Sequence, residues 1–164
     1  MNIFYLDKDP VKCAMAHNDK HVVKMILEYA QLMSTAHRIL DDIAPYENDI
    51  LYKACYINHP CGKWIRQTSG NYEYTFKLWR ALCAEYTYRY EKIHKTETRL
   101  LEALRHLPKN ILIKPMTKPV LAMPDDVKNN RSALLSYRAY YNVHKKHLLK
   151  YTKREIPKWV QEKA

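Results

Sequence analysis

Residues 17–40 carry the sequence HNDKHVVKMILEYAQLMSTAHRIL, and this stretch determines how the chain folds. A projection at about 100° per residue separates its side chains onto two arcs. The apolar arc contains Val22, Val23, Met25, Ile26, Tyr29, Ala30, Leu32, Met33, Ala36 and Leu40. The opposite, polar arc contains His17, Lys20, His21, Lys24, Glu28, Gln31, Thr35 and Arg38. The pattern predicts a long amphipathic helix, capped by Asn18 or Asp19 and packed on a core.

The rest of the chain predicts further helices and no internal repeat. Beyond the first long helix we expect short helices over 10–16 and 48–56, a short helix opened by His59-Pro60, long helices over 69–92 and 130–152, and one helix over 96–107. Four prolines between residues 108 and 124 exclude a regular helix there and predict an extended crossing loop. The predicted fold is all-α: one domain over 1–164, a compact bundle of three long helices with short connecting helices and a proline-rich crossing loop.

The charge of the chain favours a polyanionic partner. Lys and Arg number 28 against 17 Asp and Glu, a formal net charge of +11. Nucleic acid is the first candidate and an anionic membrane surface the second. No run reaches the roughly 18 apolar residues of a membrane-spanning helix, so no membrane partner is expected.

The cysteines and the N-terminus indicate a cytoplasmic protein. Cys13, Cys55, Cys61 and Cys83 show no disulfide-framework spacing, and three of them fall in predicted helices as small core residues. Cys55, His59 and Cys61 lie close enough in sequence to consider a metal site, but no second ligand pair completes it. We therefore expect no metal and no cofactor. The first seven residues lack the pattern of a secretory signal.

Glu28 is the only carboxylate on the polar arc. It lies one turn from Lys24 and two turns from His21. A carboxylate in a phosphate-binding groove repels the ligand, so its presence there indicates chemistry or the ordering of cations. The alternative is a solvated helix face with an ordinary Lys24–Glu28 pair.

A second stretch interleaves aromatic and basic side chains. Tyr137-Arg138-Ala139-Tyr140-Tyr141 is followed by His144, Lys145, Lys146 and His147. Three tyrosines within five helical residues cannot all face one core, so this stretch predicts contact with bases or phosphates. Lys63 and Arg66 add basic residues around Trp64.

The first 40 residues resemble the phage pyrimidine-dimer DNA glycosylases of the endonuclease V type and their bacterial relatives. The resemblance is carried by a short N-terminal arm, by Asp19-Lys20-His21 and by Glu28 seven residues after the histidine. Looser similarities are His59-Pro60 leading to Lys63-Trp64, and the Tyr137–Tyr141 segment, which is similar to an aromatic segment that lines the lesion pocket.

The resemblance implies a helical enzyme that cleaves the glycosidic bond and the abasic site, with a flipped base or kinked duplex and no metal. Glu28 then corresponds to the glutamate that handles the sugar and the imine intermediate, His21 to the groove histidine, and Asp19 to the residue that opens the helix. The family uses an N-terminal α-amine as nucleophile. Because Asn2 has a large side chain, Met1 is expected to be retained and to supply that amine.

The predicted catalytic residues are therefore Glu28, His21 and Met1. The predicted contacts to double-stranded DNA are His17, Asp19, Lys20, Lys24, Gln31, Arg38, Lys63, Arg66, Tyr137, Arg138, Tyr141 and Lys145. We expect a monomer in the cytoplasm, that of an infected host cell if a phage encodes it. Two alternatives stay open at this point: a phage transferase that modifies an altered pyrimidine in DNA, and a non-catalytic nucleic-acid-binding protein.

Overall fold

The computed structural model describes residues 2–161, and it contains six α-helices. They are α1 (Pro10–Ala16), α2 (Asp19–Leu40), α3 (Pro60–Ile65), α4 (Ser69–Tyr90), α5 (Lys95–Leu104) and α6 (Ala133–His144). Short 3-10 turns cover Asp125–Val127 and Lys146–Leu148. Since no strand occurs within residues 2–161, the all-α prediction is confirmed. None of these helices is both long and apolar enough to span a bilayer.

Side-chain caps explain where the helices begin. The Asp9 carboxylate accepts a hydrogen bond from the Val11 N–H, and Pro10 occupies the first turn of α1. Asn18 accepts from the N–H of His21, so Asn18 rather than Asp19 caps α2. Caps of this kind each contribute about 1 kcal/mol to helix stability. The predicted starts of α1, α2 and α3 are therefore confirmed.

The core forms where α2 and α1 pack against α4. Trp79 of α4 is fully buried, and its indole N–H donates to the carbonyl of Ile26 on α2 at 2.9 Å. Leu6 of the N-terminal arm and Cys13 of α1 are also fully buried. Cys61 and Cys83 are buried as well, which confirms that three cysteines act as small core residues.

The proline-rich segment 108–124 is extended, as predicted, and it docks on the N-terminus of α4. The N–H groups of Ser69 and Gly70 donate to the carbonyls of Leu112 (2.8 Å) and Lys114 (3.0 Å). These bonds satisfy donors that the first turn of a helix leaves free. A Cβ at Gly70 would lie 2.2 Å from the Met116 backbone nitrogen, so the close approach requires glycine.

The helix predicted over 48–56 is wrong, and the cause is Arg38. Arg38 is 5% exposed, and its guanidinium donates to the carbonyls of Tyr52, Ala44, Asn48 and Leu51 at 2.6–3.0 Å. In a helix the carbonyls all point along the axis, so carbonyls of residues 44–52 that converge on one guanidinium belong to a non-helical backbone. The segment is therefore a loop wound around Arg38.

The last helix is shorter than predicted. It ends at His144, and residues 145–161 form a tail that returns across α2 and α4. The Asp19 N–H donates to the Lys150 carbonyl at 2.8 Å, and the Asp19 carboxylate accepts from the N–H and hydroxyl of Thr152. These bonds need a Lys150 carbonyl that is free of helical partners, so the tail cannot continue α6.

Candidate functional site

Glu28 lies near the middle of α2 with its side chain only 14% exposed. The nearest cation is the solvated ammonium of Lys24, 3.9 Å from Oε1. Within residues 2–161 the carboxylate accepts no hydrogen bond. Carboxylates this far from solvent are normally hydrogen-bonded, so Glu28 has unused acceptor capacity.

One wall beside Glu28 is the loop that contains Cys55. The Thr35 hydroxyl oxygen accepts from the Cys55 N–H at 3.0 Å and fixes this loop against α2. Burial raises the pKa of the Cys55 thiol, and the nearby charge of Glu28 raises it further. Thr35 follows Glu28 by seven residues on the same face of α2, so the Cys55 loop covers this face beyond Glu28. Thr35 itself is fully buried, so its assignment to a polar surface is wrong.

His21 lies two turns before Glu28 and is 5% exposed. The Tyr141 hydroxyl is 2.6 Å from its Nδ1, and the Phe4 ring stacks on the imidazole with centroids 4.3 Å apart. Burial, together with nearby positive charges that include Lys145 and Lys24, lowers the pKa of His21 to about 2. The imidazole is therefore neutral at physiological pH. We assign the Tyr141 proton to the bond with Nδ1, which leaves a hydrogen on Nε2.

His17 belongs to the core rather than to a DNA-binding face. It is fully buried, and burial lowers its pKa to about 4. Its Nδ1 lies 2.7 Å from the Cys13 carbonyl and its Nε2 lies 2.9 Å from the Tyr29 hydroxyl. That hydroxyl also accepts from the Phe4 N–H at 2.9 Å. The network ties the N-terminal arm to α2, and the prediction that His17 contacts DNA is wrong.

The end of α6 packs beside Phe4 and His21. Tyr140 lies 6.0 Å from Phe4 in a stacked arrangement, and the Lys145 ammonium lies 5.2 Å from the centre of the Tyr140 ring. The end of α6 and the residue after it therefore bring the half-buried Tyr140 ring and the Lys145 cation to the neighbourhood of His21.

Four further predicted contacts are buried structural residues. Arg38 holds the 41–52 loop, and Asp19 is 9% exposed and binds Arg89 at 3.1 Å. Tyr137 is fully buried and donates to the Val120 carbonyl, and Tyr141 is fully buried against His21. These side chains are too buried to contact DNA directly. The predictions that they do so are therefore wrong. Val23, assigned to the apolar arc, is 40% exposed, which is a further correction.

The remaining predicted contacts divide into two groups. Lys20, Lys24, Gln31 and Lys145 lie on α2 and at the end of α6, around His21 and Glu28. Lys63 and Arg66 lie at α3, where Arg66 donates to the Ile57 carbonyl, and Arg138 lines a separate cavity. Met1 lies outside the described residues.

Sequence reasoning missed Phe4 as a site residue, and it included Tyr140 in the aromatic–basic stretch without naming it among the individual contacts. The available signal for Phe4 was the apolar arm Ile3-Phe4-Tyr5-Leu6, whose Ile3, Phe4 and Leu6 are buried. Nothing in the sequence indicates which helix such an arm covers, so the stacking on His21 is visible only in three dimensions.

Comparison with known proteins gives one match. The family model described as pyrimidine dimer DNA glycosylase matches residues 1–98. No curated protein and no solved structure matches the chain. The matched range contains His21 and Glu28 and ends within α5, so α6 and the tail lie outside it.

Proposed function

The chain belongs to the pyrimidine dimer DNA glycosylase family, and we propose that Glu28 is the acid–base residue with which it removes a damaged pyrimidine from DNA. The family acts on DNA, and membership of it implies pyrimidine dimer glycosylase activity. The choice of Glu28 and its partners, the flipped base and the use of double-stranded DNA are parts of this proposal.

The observation that carries the proposal is the environment of the Glu28 carboxylate. It is mostly buried, accepts no hydrogen bond within residues 2–161, and lies on a helix face with Lys20, His21 and Lys24. A negative charge there weakens the attraction of DNA phosphates. Such a charge is useful if it transfers protons during the reaction.

We assign the nucleophile to the α-amine of Met1, which precedes the described arm. Two residues span at most about 7 Å, so the amine stays within that distance of Ile3. Ile3 is buried in the same core cluster as Cys61, and Phe4 lies on His21. An α-amine has a pKa near 8, so a useful fraction is neutral at pH 7. These points support an amine within reach of the Glu28 neighbourhood.

The reaction then proceeds in three steps: displacement of the base, which takes a proton from solvent, opening of the sugar, and expulsion of the 3′ phosphate. The amine nitrogen bonds to C1′ of the damaged nucleotide as the glycosidic bond breaks and the base leaves with the bonding electrons. Glu28 takes the proton that the amine loses and donates it to the ring oxygen as the sugar opens to an imine. Glu28, which is then a carboxylate again, takes the C2′ proton, and the electrons of that C–H bond form the C2′–C3′ double bond as the 3′ phosphate leaves.

The lysines hold the strand in this scheme, and His21 is a positioning residue beneath the site, because it is only 5% exposed. Its neutral imidazole adds no charge next to Glu28. Lys20, Lys24 and Lys145 neutralise flanking phosphates, and Gln31 donates to them. Every group in the scheme comes from one chain, so a monomer that works as a single domain is sufficient.

The test uses a DNA duplex with one defined thymine dimer. We expect the wild type to cleave the glycosidic bond, and we expect Glu28→Gln to lose at least about 100-fold in rate, the usual range for a general acid–base group. Glu102→Gln is the matched control, because Glu102 is 78% exposed and pairs only with Arg105. Equal rates for Glu28→Gln and wild type would overturn the assignment, and an inactive wild type would overturn the function.

A further inference from the structure

A cavity separate from the Glu28 neighbourhood lies between the tail and the N-terminal half of the fold. Its volume is about 690 Å³, and its walls come from the arm, α1, α6 and residues 153–159. The tail and α6 lie outside the range that the family model matches. The cavity is therefore built largely by a part of the chain that the family assignment does not describe.

Cations dominate the lining of this cavity. Its basic residues are Lys12, Arg138, Lys153, Arg154 and Lys158, against the two carboxylates Asp7 and Glu155. Lys12 and Lys158 make no ion pair within residues 2–161. Ile156, Pro157 and Trp159 add an apolar wall.

Neighbouring groups hold one edge of the Arg138 guanidinium in place. Its Nε donates to the Leu6 carbonyl at 3.0 Å, its Nη2 lies 3.4 Å from the Asp7 carboxylate, and the group stacks 5.1 Å from the Trp159 ring centre. In the described part of the chain, Nη1 has no hydrogen-bond partner. Part of the side chain, 23%, remains exposed.

Arg154 repeats this arrangement. Its Nε and Nη2 both donate to the nearly buried carboxylate of Glu85, at 3.0 and 2.6 Å, and the group lies 4.1 Å from the centre of the Tyr88 ring. Again Nη1 has no partner among residues 2–161. Two guanidiniums that are held on one side and free on the other are pre-ordered donors for an oxyanion.

We propose that this cavity binds a phosphate group of the DNA strand through Arg138 and Arg154, with Lys12 and Lys158 adding charge at its rim. The inference rests on the proposed function, since it assigns the ligand to the same DNA. The cavity borders Ala16, next to the start of α2, and Glu28 lies nine residues along that helix from Asp19. At 1.5 Å per residue this is about 13 Å, or roughly four nucleotide steps of 3.4 Å. The proposed phosphate site therefore lies toward the N-terminal end of α2, whereas Glu28 lies near the middle of that helix.

The test measures binding of an undamaged duplex, so it is independent of catalysis. The double variant Lys12→Gln/Lys158→Gln removes the two lysines without an ion pair, and Lys95→Gln/Lys109→Gln is the charge-matched control on α5 and the loop after it. We expect the slope of log K against log salt to fall by about 0.9 for each phosphate that the variant no longer neutralises. The control should keep the wild-type slope.

Two results would overturn the proposal. One is a salt slope in Lys12→Gln/Lys158→Gln equal to that of the control. The other is saturable binding of free thymidine monophosphate that shifts the Trp159 indole signal without competing with the duplex, which would assign the cavity to a free nucleotide. If the proposed function is wrong but the cavity does bind a DNA phosphate, the wild type cleaves no damaged DNA. The salt slope of Lys12→Gln/Lys158→Gln still falls in that case.

Discussion

The Tyr141 hydroxyl lies 2.6 Å from Nδ1 of His21, and this hydrogen bond joins two residues 120 positions apart. His21 belongs to the part of the chain that matches the glycosylase family, whereas Tyr141 lies outside it. α6 therefore completes the environment of a residue on α2. The bond fixes the ring orientation and the tautomer of His21.

Replacing Tyr141 with Phe removes this bond and keeps the ring. We expect a decrease of about 1 kcal/mol in the free energy of unfolding and a lower kcat, because both tautomers of His21 become populated. Nitrogen chemical shifts of the imidazole report the tautomer directly. Tyr140→Phe is the matched control, since within residues 2–161 the Tyr140 hydroxyl has no hydrogen bond. Unchanged His21 shifts in Tyr141→Phe would contradict the assignment.

The buried neutral state of His21 makes stability depend on pH. Its pKa is lowered to about 2 in the folded protein, whereas an unfolded histidine has a pKa near 6.5. The unfolded chain therefore binds the extra proton below about pH 6.5, so stability is present above that pH and falls as the pH decreases.

Urea unfolding between pH 6 and 4.5 measures this effect. In His21→Gln the slope of unfolding free energy against pH should decrease by about 1.4 kcal/mol per pH unit, the contribution of one such group. His147→Gln, at an exposed position, should keep the wild-type slope. An identical slope in His21→Gln and wild type would show that His21 is already protonated in the folded state.

Arg89 joins α4 to the start of α2 through buried charges. Its side chain is fully buried and contacts Glu85 at 2.8 Å and Asp19 at 3.1 Å. Arg89→Leu leaves both carboxylates short of a partner and should cost about 3–5 kcal/mol in denaturant unfolding. Arg105→Leu breaks an exposed pair with Glu102 and should cost at most about 1 kcal/mol. Equal destabilisation in the two variants would contradict the role of Arg89.

The two glycines of the chain offer a matched pair of substitutions. An added Cβ at Gly70 meets three backbone atoms of Pro115 and Met116 at 2.2–2.8 Å, whereas at Gly62 the closest atom is the Tyr56 carbonyl oxygen at 3.0 Å. Gly70→Ala should therefore displace the crossing loop and lower Tm by much more than Gly62→Ala. Thermal unfolding tests this, and a smaller decrease at Gly70 would contradict the docking of the loop.

Local sequence signals predicted the structural features that depend on residues close together in the sequence. The bounds of α1 follow from Asp9 and Pro10, and the shared face of Lys24 and Glu28 follows from helical spacing alone. The prediction that Glu28 shares a helix face with Lys24 needs no tertiary information, because both residues lie on α2.

Interactions between distant residues account for what the sequence did not predict. Arg38 has the spacing of a surface residue, but the carbonyls of 44–52 surround it. Asp19 and Thr152 are 133 residues apart, and their hydrogen bond ends the helical course of the C-terminal segment. Helical periodicity cannot distinguish a polar residue that faces solvent from one that faces a buried partner.

Borohydride reduction on a dimer-containing duplex is the sharpest test of the roles of the terminal amine and Glu28, because it converts an imine between protein and sugar into a stable amine. We predict a covalent complex with the wild type, with the adduct located by peptide mass spectrometry on the α-amine of residue 1. We also predict that Glu28→Gln forms this complex far more slowly than Glu102→Gln. Absence of any trapped complex, or an adduct on a lysine side chain, would contradict the proposed mechanism.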